Sequence, residues 1–312
     1  MEPKEVNLES IDDRLSKLVI EPKLEHELTD IMSGRLSGER AEVQLCAYPN
    51  VRTITSVMHT RENAEGIMQL WWNDEEGGEV IFDVQGILAK CDLPGFRRGH
   101  RFQNNALHAA QEVILFAGAV PQFQLAVDAI RSIQKLFASQ AMEGAYSPIT
   151  FETIGVFKAL KFGSRYFTRG QSKSPSVAVP ASMNSNNILS SHLGPRLKFT
   201  QDNVVEYLKR EKVDGATVYE PCKPTIFRRE QVVEAQVSFV GICMKDGRRT
   251  FVAKLNKLVW LHSGCAIDLI DADEAGVAQA PVIVEQKRFL PYDDGPAMKK
   301  LRESVEAADM HD

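Results

Sequence analysis

The sequence EAQVSFVGICM (residues 234–244), KDGRR (245–249) and TFVAKLNKLVWL (250–261) carries the clearest structural signal in the chain. In both flanks, β-branched and aromatic residues alternate with small or polar ones, as they do in strands. Between the flanks, Asp246-Gly247 readily takes the positive φ angles of a tight hairpin turn. The stretch therefore predicts a long β-hairpin, and the rest of the fold is interpreted outward from it.

Further strands are predicted on both sides of this hairpin. Alternating patterns predict strands at 43–48 and 51–58, broken by Pro49-Asn50, and a pair at 67–72 and 79–84. Turn-forming residues join the last two, which are therefore predicted to form a hairpin. Additional strands are predicted from Ala216 and over 282–288.

Helical spacing of apolar residues replaces this alternation in the middle of the chain. It predicts helices over 103–116, 121–138, about 147–161 and 201–212, and shorter ones near the two ends over 22–33 and 297–308. The segment from Gln171 to Pro195 is rich in Ser, Asn and Pro and lacks periodicity. Such a long segment is typical of a functional loop or of a disordered one.

Strands at both ends with helices between them predict an α+β fold, in which the β portions join into one sheet or sandwich around a helical insertion. Two domains divided near residue 100 or 200 are the alternative. We expect an acidic amphipathic arm at 1–38, a mixed body at 39–267 with a long basic loop at about 165–200, and an acidic region at 268–312.

The composition is that of an ordinary water-soluble protein. With 44% hydrophobic residues, the chain has no apolar run near the roughly 18 residues that cross a bilayer, so we expect no membrane span. Its five cysteines are scattered and form no C-x-x-C pair, and residues 1–9 lack the features of a secretory signal. These features predict reduced thiols and an intracellular, cytoplasmic location.

Charge is segregated along the chain, whose formal net charge is -5. Residues 1–33 hold nine acids against four bases, and residues 268–312 hold eleven acids against five bases. The centre is therefore cationic. Between Glu152 and Asp202 no acidic residue occurs, and this acid-free stretch is the best functional hint in the sequence.

Basic and aromatic residues interleave in the acid-free stretch, with Phe157, Phe162, Tyr166 and Phe167 as its aromatics. On the predicted helix, three of its bases would share one face, and two more would extend that line along the loop. Such mixtures serve nucleic-acid grooves, where bases contact phosphates and aromatic rings stack on nucleobases. The five candidates are Lys158, Lys161, Arg165, Arg169 and Lys173.

A second basic cluster lies in a turn bracketed by glycines, where backbone amides can approach an anion. It is flanked by Phe96 and Phe102, and its candidate phosphate contacts are Arg97, Arg98 and Arg101. Together, the two clusters predict a nucleic-acid-binding groove. The alternative is that both are solvated faces and that the aromatic residues belong to the core.

Catalytic, metal and cofactor motifs are weak. His262 and Cys265, followed by Asp268, could form a base, a thiol nucleophile and an orienting acid, but a buried structural cysteine explains the same pattern. The acids from 268 to 274 fit no calcium loop, and the chain has no Walker loop, G-x-G-x-x-G, H-E-x-x-H or G-x-S-x-G motif. We therefore predict no catalytic residue, no metal site and no cofactor.

The sequence favours a non-enzymatic nucleic-acid-binding or assembly protein, similar in physical type to a viral coat, nucleocapsid or transport protein. Single-stranded nucleic acid is the expected partner. Self-association is expected through the amphipathic arm, with Leu24, Leu28 and Ile31 on one stripe. An intracellular enzyme with a dispersed active site and a protein-interaction scaffold are the alternatives.

Overall fold

Strands outnumber helices in the part of the chain that the structure describes. The computed structural model describes residues 22–262, except 64, 75–76, 97–101, 103–105, 142–145, 148, 214–215 and 245–246, and all of these belong to one compact unit. Its helices are α1 (Pro22–Leu36), α2 (Val51–Val57), α3 (Pro121–Ser139) and α4 (Ile188–Ser191). Its strands are β1 (Met58–Glu62), β2 (Ile67–Trp72), β3 (Phe82–Asp92), β4 (Ala110–Phe116), β5 (Glu152–Ile154), β6 (Phe157–Arg165), β7 (Thr168–Arg169), β8 (Leu197–Lys198), β9 (Glu206–Val213), β10 (Ala216–Pro221), β11 (Val232–Cys243) and β12 (Arg249–His262).

The predicted long hairpin is confirmed and forms the centre of the sheet. β11 and β12 pair from Val232↔His262 to Cys243↔Arg249, and Gly247 in their turn has φ +81. β11 also pairs with β3, β3 with β4, β4 with β6, and β6 with β12, so these five described strands close into a barrel. The amino- and carboxyl-terminal β portions thus join in one sheet, and the α+β class is confirmed at this level.

The helix predicted over 121–138 is confirmed as α3. It begins at Pro121, whose fixed φ suits the first helical position, and its buried stripe includes Val127, Ile130, Ile133 and Phe137. The ring of Phe137 meets that of Phe251 on β12 edge-on, with centroids 5.6 Å apart. Each fully buried side chain of this size stabilises the fold by about 1.5–3 kcal/mol.

The other three helices predicted in the middle are wrong. Residues 103–116 contain β4, residues 147–161 contain β5 and much of β6, and residues 201–212 form a short 3-10 turn followed by β9. In β4, Val113 and Leu115 face the barrel interior opposite Phe162 and Leu160 of β6. A period-two pattern was therefore present, and pairing with distant strands overrides the local helical spacing.

The strands predicted at 43–48 and 51–58 are also wrong. Residues 41–47 form two 3-10 turns, and α2 begins after Asn50, whose side chain accepts a hydrogen bond from the Thr53 backbone N at 3.0 Å. This cap satisfies one of the free amides at the helix start, and burial of Ile54 holds α2 against the core. Cap and burial together outweigh the strand preference of the Val and Thr residues.

The second predicted hairpin is only partly correct. β2 is confirmed, but it pairs with β1 and β11, and only the bridge Trp71↔Glu79 joins it to the segment before β3. The adjoining tryptophans of β2 point to opposite faces, as expected. The Trp72 ring packs edge-on against Tyr48 at 6.4 Å, and the Arg61 guanidinium covers Trp71 at 4.7 Å.

The arm helix is confirmed and packs on its own chain. In α1, Leu28 and Met32 are buried, and Arg35 Nε lies 2.8 Å from a carboxylate oxygen of Glu234 on β11. None of the helices within the described ranges combines the length and apolar character that a membrane crossing requires. The predicted elements at 282–288 and 297–308 lie outside the described residues.

Candidate nucleic-acid interface

Three predicted phosphate contacts lie on a strand and not on a helix. Lys158, Lys161 and Arg165 belong to β6, so the prediction of one shared helical face is wrong. Because side chains alternate along a strand, Lys161 and Arg165 share one face, with Gly163 between them, and Lys158 lies on the other. The structure therefore brings only two of the three together.

The three bases also differ in the groups that their side chains contact. Lys161 Nζ lies 2.9 Å from a carboxylate oxygen of Glu112 on the neighbouring strand β4. Lys158 Nζ lies 6.0 Å from the centroid of the Phe151 ring. Arg165 has neither kind of partner among the described residues and is exposed. Of the three, Arg165 is the best placed to contact a polyanion.

The interleaved aromatic residues belong to the core. The exposed fractions of Phe162, Tyr166 and Phe167 are 0%, 2% and 1%, and Phe157 packs on Phe116 at 6.0 Å. Burial raises the pKa of the Tyr166 hydroxyl. The three buried rings cannot stack on nucleobases and Phe157 is partly buried against the core, so the alternative in which the aromatics are core is correct for them. Any nucleic-acid contact here is made by the cationic groups.

The described neighbours of the second predicted cluster pack beside the end of the first. Arg97, Arg98 and Arg101 lie outside the described residues, but Phe96 and Phe102 on either side of them are described. The ring of Phe96 lies 5.3 Å from that of Tyr166, and the ring of Phe102 lies 5.6 Å from that of Phe167. Because Tyr166 and Phe167 directly follow Arg165, Phe96 and Phe102 pack next to the end of the first cluster.

A two-stranded ribbon carries two further bases at this end. β7 pairs with β8 in the register Arg169↔Leu197, and the Gly170 backbone N donates to the Arg196 carbonyl at 2.9 Å. A Cβ at Gly170 would collide with the carbonyl oxygen of Pro195, so the close approach of the two strands requires glycine there. Arg169 and Arg196 are exposed on this ribbon.

The Ser- and Asn-rich loop is anchored to the body at its start. Glu65 accepts hydrogen bonds from Ser172 Oγ and from the Lys173 backbone N, both at 3.0 Å. Lys198 Nζ donates to the carbonyls of Ser172 and Ser174, so its ammonium group is bound to the loop backbone. The Lys173 side chain remains exposed.

Four exposed bases thus form what we call the basic surface: Arg165, Arg169, Lys173 and Arg196. None of them forms an ion pair with another described residue. Two nearby acids already have cationic partners, since Glu112 pairs with Lys161 and Asp202 pairs with Lys254 at 2.7 Å, and a third, Glu65, accepts hydrogen bonds from the loop. Sequence reasoning selected three of the four as sites. Arg196 was visible in the acid-free stretch, but its place beside Arg169 depends on the β7–β8 pairing.

Groups that could carry other chemistry are placed differently. His262 Nε2 lies 3.4 Å from Glu27 of α1, and burial lowers the pKa of its ring. Cys265 and Asp268, its suggested catalytic partners, lie outside the described residues. Burial raises the pKa of the Cys46 and Cys222 thiols to about 11, which disfavours thiolates. Within the described ranges, no three His, Cys, Asp or Glu residues are placed to hold a metal ion.

Comparison with known proteins returns no relative: no family model, no curated protein and no solved structure matches the chain. The basic surface is therefore interpreted from its own geometry and charge.

Proposed function

We propose that the protein binds single-stranded nucleic acid through the basic surface, as a non-enzymatic binding or assembly protein. The observation that carries this proposal is a set of four exposed bases, none in an ion pair with another described residue: Arg165 at the end of β6, Arg169 and Arg196 near it at the β7–β8 ribbon, and Lys173 farther along the loop that Glu65 holds. Cationic groups that neutralise phosphates release condensed counterions, and this release supplies most of the affinity of such surfaces.

The buried aromatics determine what kind of binding this is. With Phe162, Tyr166 and Phe167 in the core, these rings of the acid-free stretch provide no stacking platform, and the basic surface offers charge and hydrogen-bond donors. Phosphate contacts position a strand without reading its bases. The proposed binding is therefore independent of sequence, as in proteins that coat, package or move nucleic acid, and we place its action in the cytoplasm.

A pair of charge reversals tests this proposal. Arg165→Glu with Arg169→Glu should abolish binding of a fluorescently labelled single-stranded RNA, measured by anisotropy at low salt. The matched control is Arg52→Glu with Lys135→Glu, because both residues are exposed, lie on α2 and α3, and change the net charge equally. Equal losses in the two variants would reduce the effect to overall charge and contradict the proposed surface.

We also propose that self-association uses the arm. Leu28 and Met32 are buried against their own chain. The arm can therefore bind a second copy only by domain swapping, in which α1 of each chain packs on the body of the other chain. The Arg35–Glu234 pair provides the test. Arg35→Glu and Glu234→Arg should each destabilise the chain alone, whereas mixing the two variants should restore stability as a dimer in light scattering. Monomers after mixing would contradict exchange.

A further inference from the structure

We infer that the phosphate-binding track extends from the basic surface onto Lys223, Arg228 and Arg229, in the connection between β10 and β11. This inference rests on the proposed function and extends its site across the end of the barrel. The ligand class is a single strand long enough to contact both the basic surface and this connection.

The connection packs against the residues that lead into the Arg97–Arg101 segment. A Cβ at Gly95 would lie 2.6 Å from Thr225 Cγ2, so the Gly95 backbone approaches Thr225 closely. Cys91 Sγ, at the end of β3, donates to the Phe227 carbonyl at 3.7 Å. The Phe227 ring also contacts Tyr207 on β9 at 5.7 Å. Residues 223–229 therefore lie at the same barrel end as the basic surface.

Strand order gives the direction of the track. Around the barrel, β6 is followed by β4, β3 and β11. Arg165 ends β6, Phe96 follows β3, and Arg229 precedes β11. The strand β3, which leads to Phe96, thus lies between the two groups of bases in the strand order. Three steps between neighbouring strands correspond to about 15 Å, which places both groups within reach of the 4–16 nucleotides that small single-strand sites occupy.

A fixed turn presents the two arginines. The Glu230 backbone N donates to the Leu88 carbonyl at 2.8 Å, and the Arg228 backbone N donates to Gln231 Oε1 at 2.8 Å. Glu230 has φ +75, a conformation that non-glycine residues adopt only where the surroundings hold it. Arg228 and Arg229 are exposed on this turn, whose backbone is already fixed by hydrogen bonds.

The local charge balance favours an anion. Lys223, Arg228 and Arg229 form no ion pair with another described residue, and all three are exposed. Arg229 lowers the pKa of the nearby Cys91 thiol, although burial raises that pKa more. Among residues 222–230 these three bases stand against one acid, the half-buried Glu230, and the exposed Asp92 lies at the end of β3. The connection itself therefore carries a positive excess, to which the basic surface adds.

The test is Arg228→Glu with Arg229→Glu, assayed by RNA anisotropy over a salt series beside wild type, Arg165→Glu/Arg169→Glu and the Arg52→Glu/Lys135→Glu control. Removing two single-strand phosphate contacts should make the slope of log K against log salt shallower by about 1.4. The loss should be clear on a strand of roughly 12 nucleotides and small on one of about 3, which cannot span both groups.

The outcomes separate this inference from the proposed function. No wild-type binding would overturn both. Wild-type binding that is lost in Arg165→Glu/Arg169→Glu but keeps its full slope in Arg228→Glu/Arg229→Glu would overturn the inference alone. Arg228→Ala with Arg229→Ala is the second variant if the charge reversal fails to fold. It should make the slope of log K against log salt shallower by the same amount.

Discussion

Glu234 lies beneath α1 among charged and amide side chains that contact one another. Its carboxylate accepts from Arg35 Nε at 2.8 Å and from Gln85 Nε2 at 2.9 Å. Beside it, Arg40 holds the buried Asp83 in a two-pronged ion pair, with distances of 2.7 and 2.9 Å. The network fixes where the arm docks, because each buried group finds its partner only in this register.

Removing the Glu234 carboxylate should be far more harmful than neutralising it. Glu234→Ala leaves Arg35 and Gln85 without their acceptor and should lower the free energy of unfolding by about 3–5 kcal/mol. Glu234→Gln keeps an amide oxygen that can accept from both, so its cost should be much smaller. Urea denaturation measures both values. Equal losses in the two variants would show that Glu234 stabilises the fold through its packing and not through its carboxylate as an acceptor.

The same residue predicts a pH dependence. Burial, helped by the nearby Asp83, raises the pKa of Glu234 above its usual 4.5, although Arg35 and Arg40 oppose the shift. The folded state therefore binds more protons than the unfolded one, and stability from this group falls as pH rises through the raised pKa. Relative to wild type, Glu234→Gln should gain stability as the pH rises from 4.5 through the raised pKa. A difference that stays constant over this range would contradict the shift.

At the scale of elements, the predictable parts are those with long, uniform patterns. The hairpin of β11 and β12 and the helix α3 follow directly from residues 232–262 and 121–139. The β6 strand was not predictable from the spacing of its own residues, because its apolar residues fit both the helical period of 3.6 residues and the strand period of two. Only the pairing of β6 with β4 and β12 selects the strand. Asn50 shows the opposite case, where a local cap was present in the sequence but the Val and Thr pattern suggested a strand.

The β7–β8 ribbon supplies a prediction at this scale. Gly170→Ala should push apart Arg169 on β7 and Arg196 just before β8, because its Cβ would collide with the Pro195 carbonyl. Such overpacking costs about 1–3 kcal/mol and should also weaken RNA binding. Gly194→Ala is the matched control from the same loop, since nothing lies within 4 Å of a Cβ there. The same RNA affinity in both variants would show that the ribbon does not position the site.

Considering the whole molecule, the site is partly visible in the sequence. The acid-free stretch identifies Arg165, Arg169 and Lys173, and these are exposed because isolated charges stay solvated. The pairing of Lys161 with Glu112 could not be predicted, because it depends on the register of β4 against β6. Arg228 and Arg229 are some sixty residues from Arg165 in sequence, and only closure of the barrel brings them to the same end.

The proposed binding of nucleic acid depends on the local charge of the basic surface and not on the total charge of the chain. The chain has a net charge of -5, so a polyanion should be repelled by the molecule as a whole and attracted only at the basic surface. Salt screens distant charges more completely than contacts made within a few ångströms. The salt dependence of binding therefore reports directly on the number of phosphates held at the surface.

The measurement that tests the central claim most directly is the affinity of wild-type protein for labelled single-stranded RNA over a salt series, with U-rich and A-rich strands compared. Four phosphate contacts at the basic surface predict a slope of log K against log salt of about -3, and more if the 223–229 connection contributes. The slope and affinity should be the same for both base compositions, because no described aromatic ring of the acid-free stretch is free to stack. Absence of binding at low salt, or a slope near zero, would contradict the account.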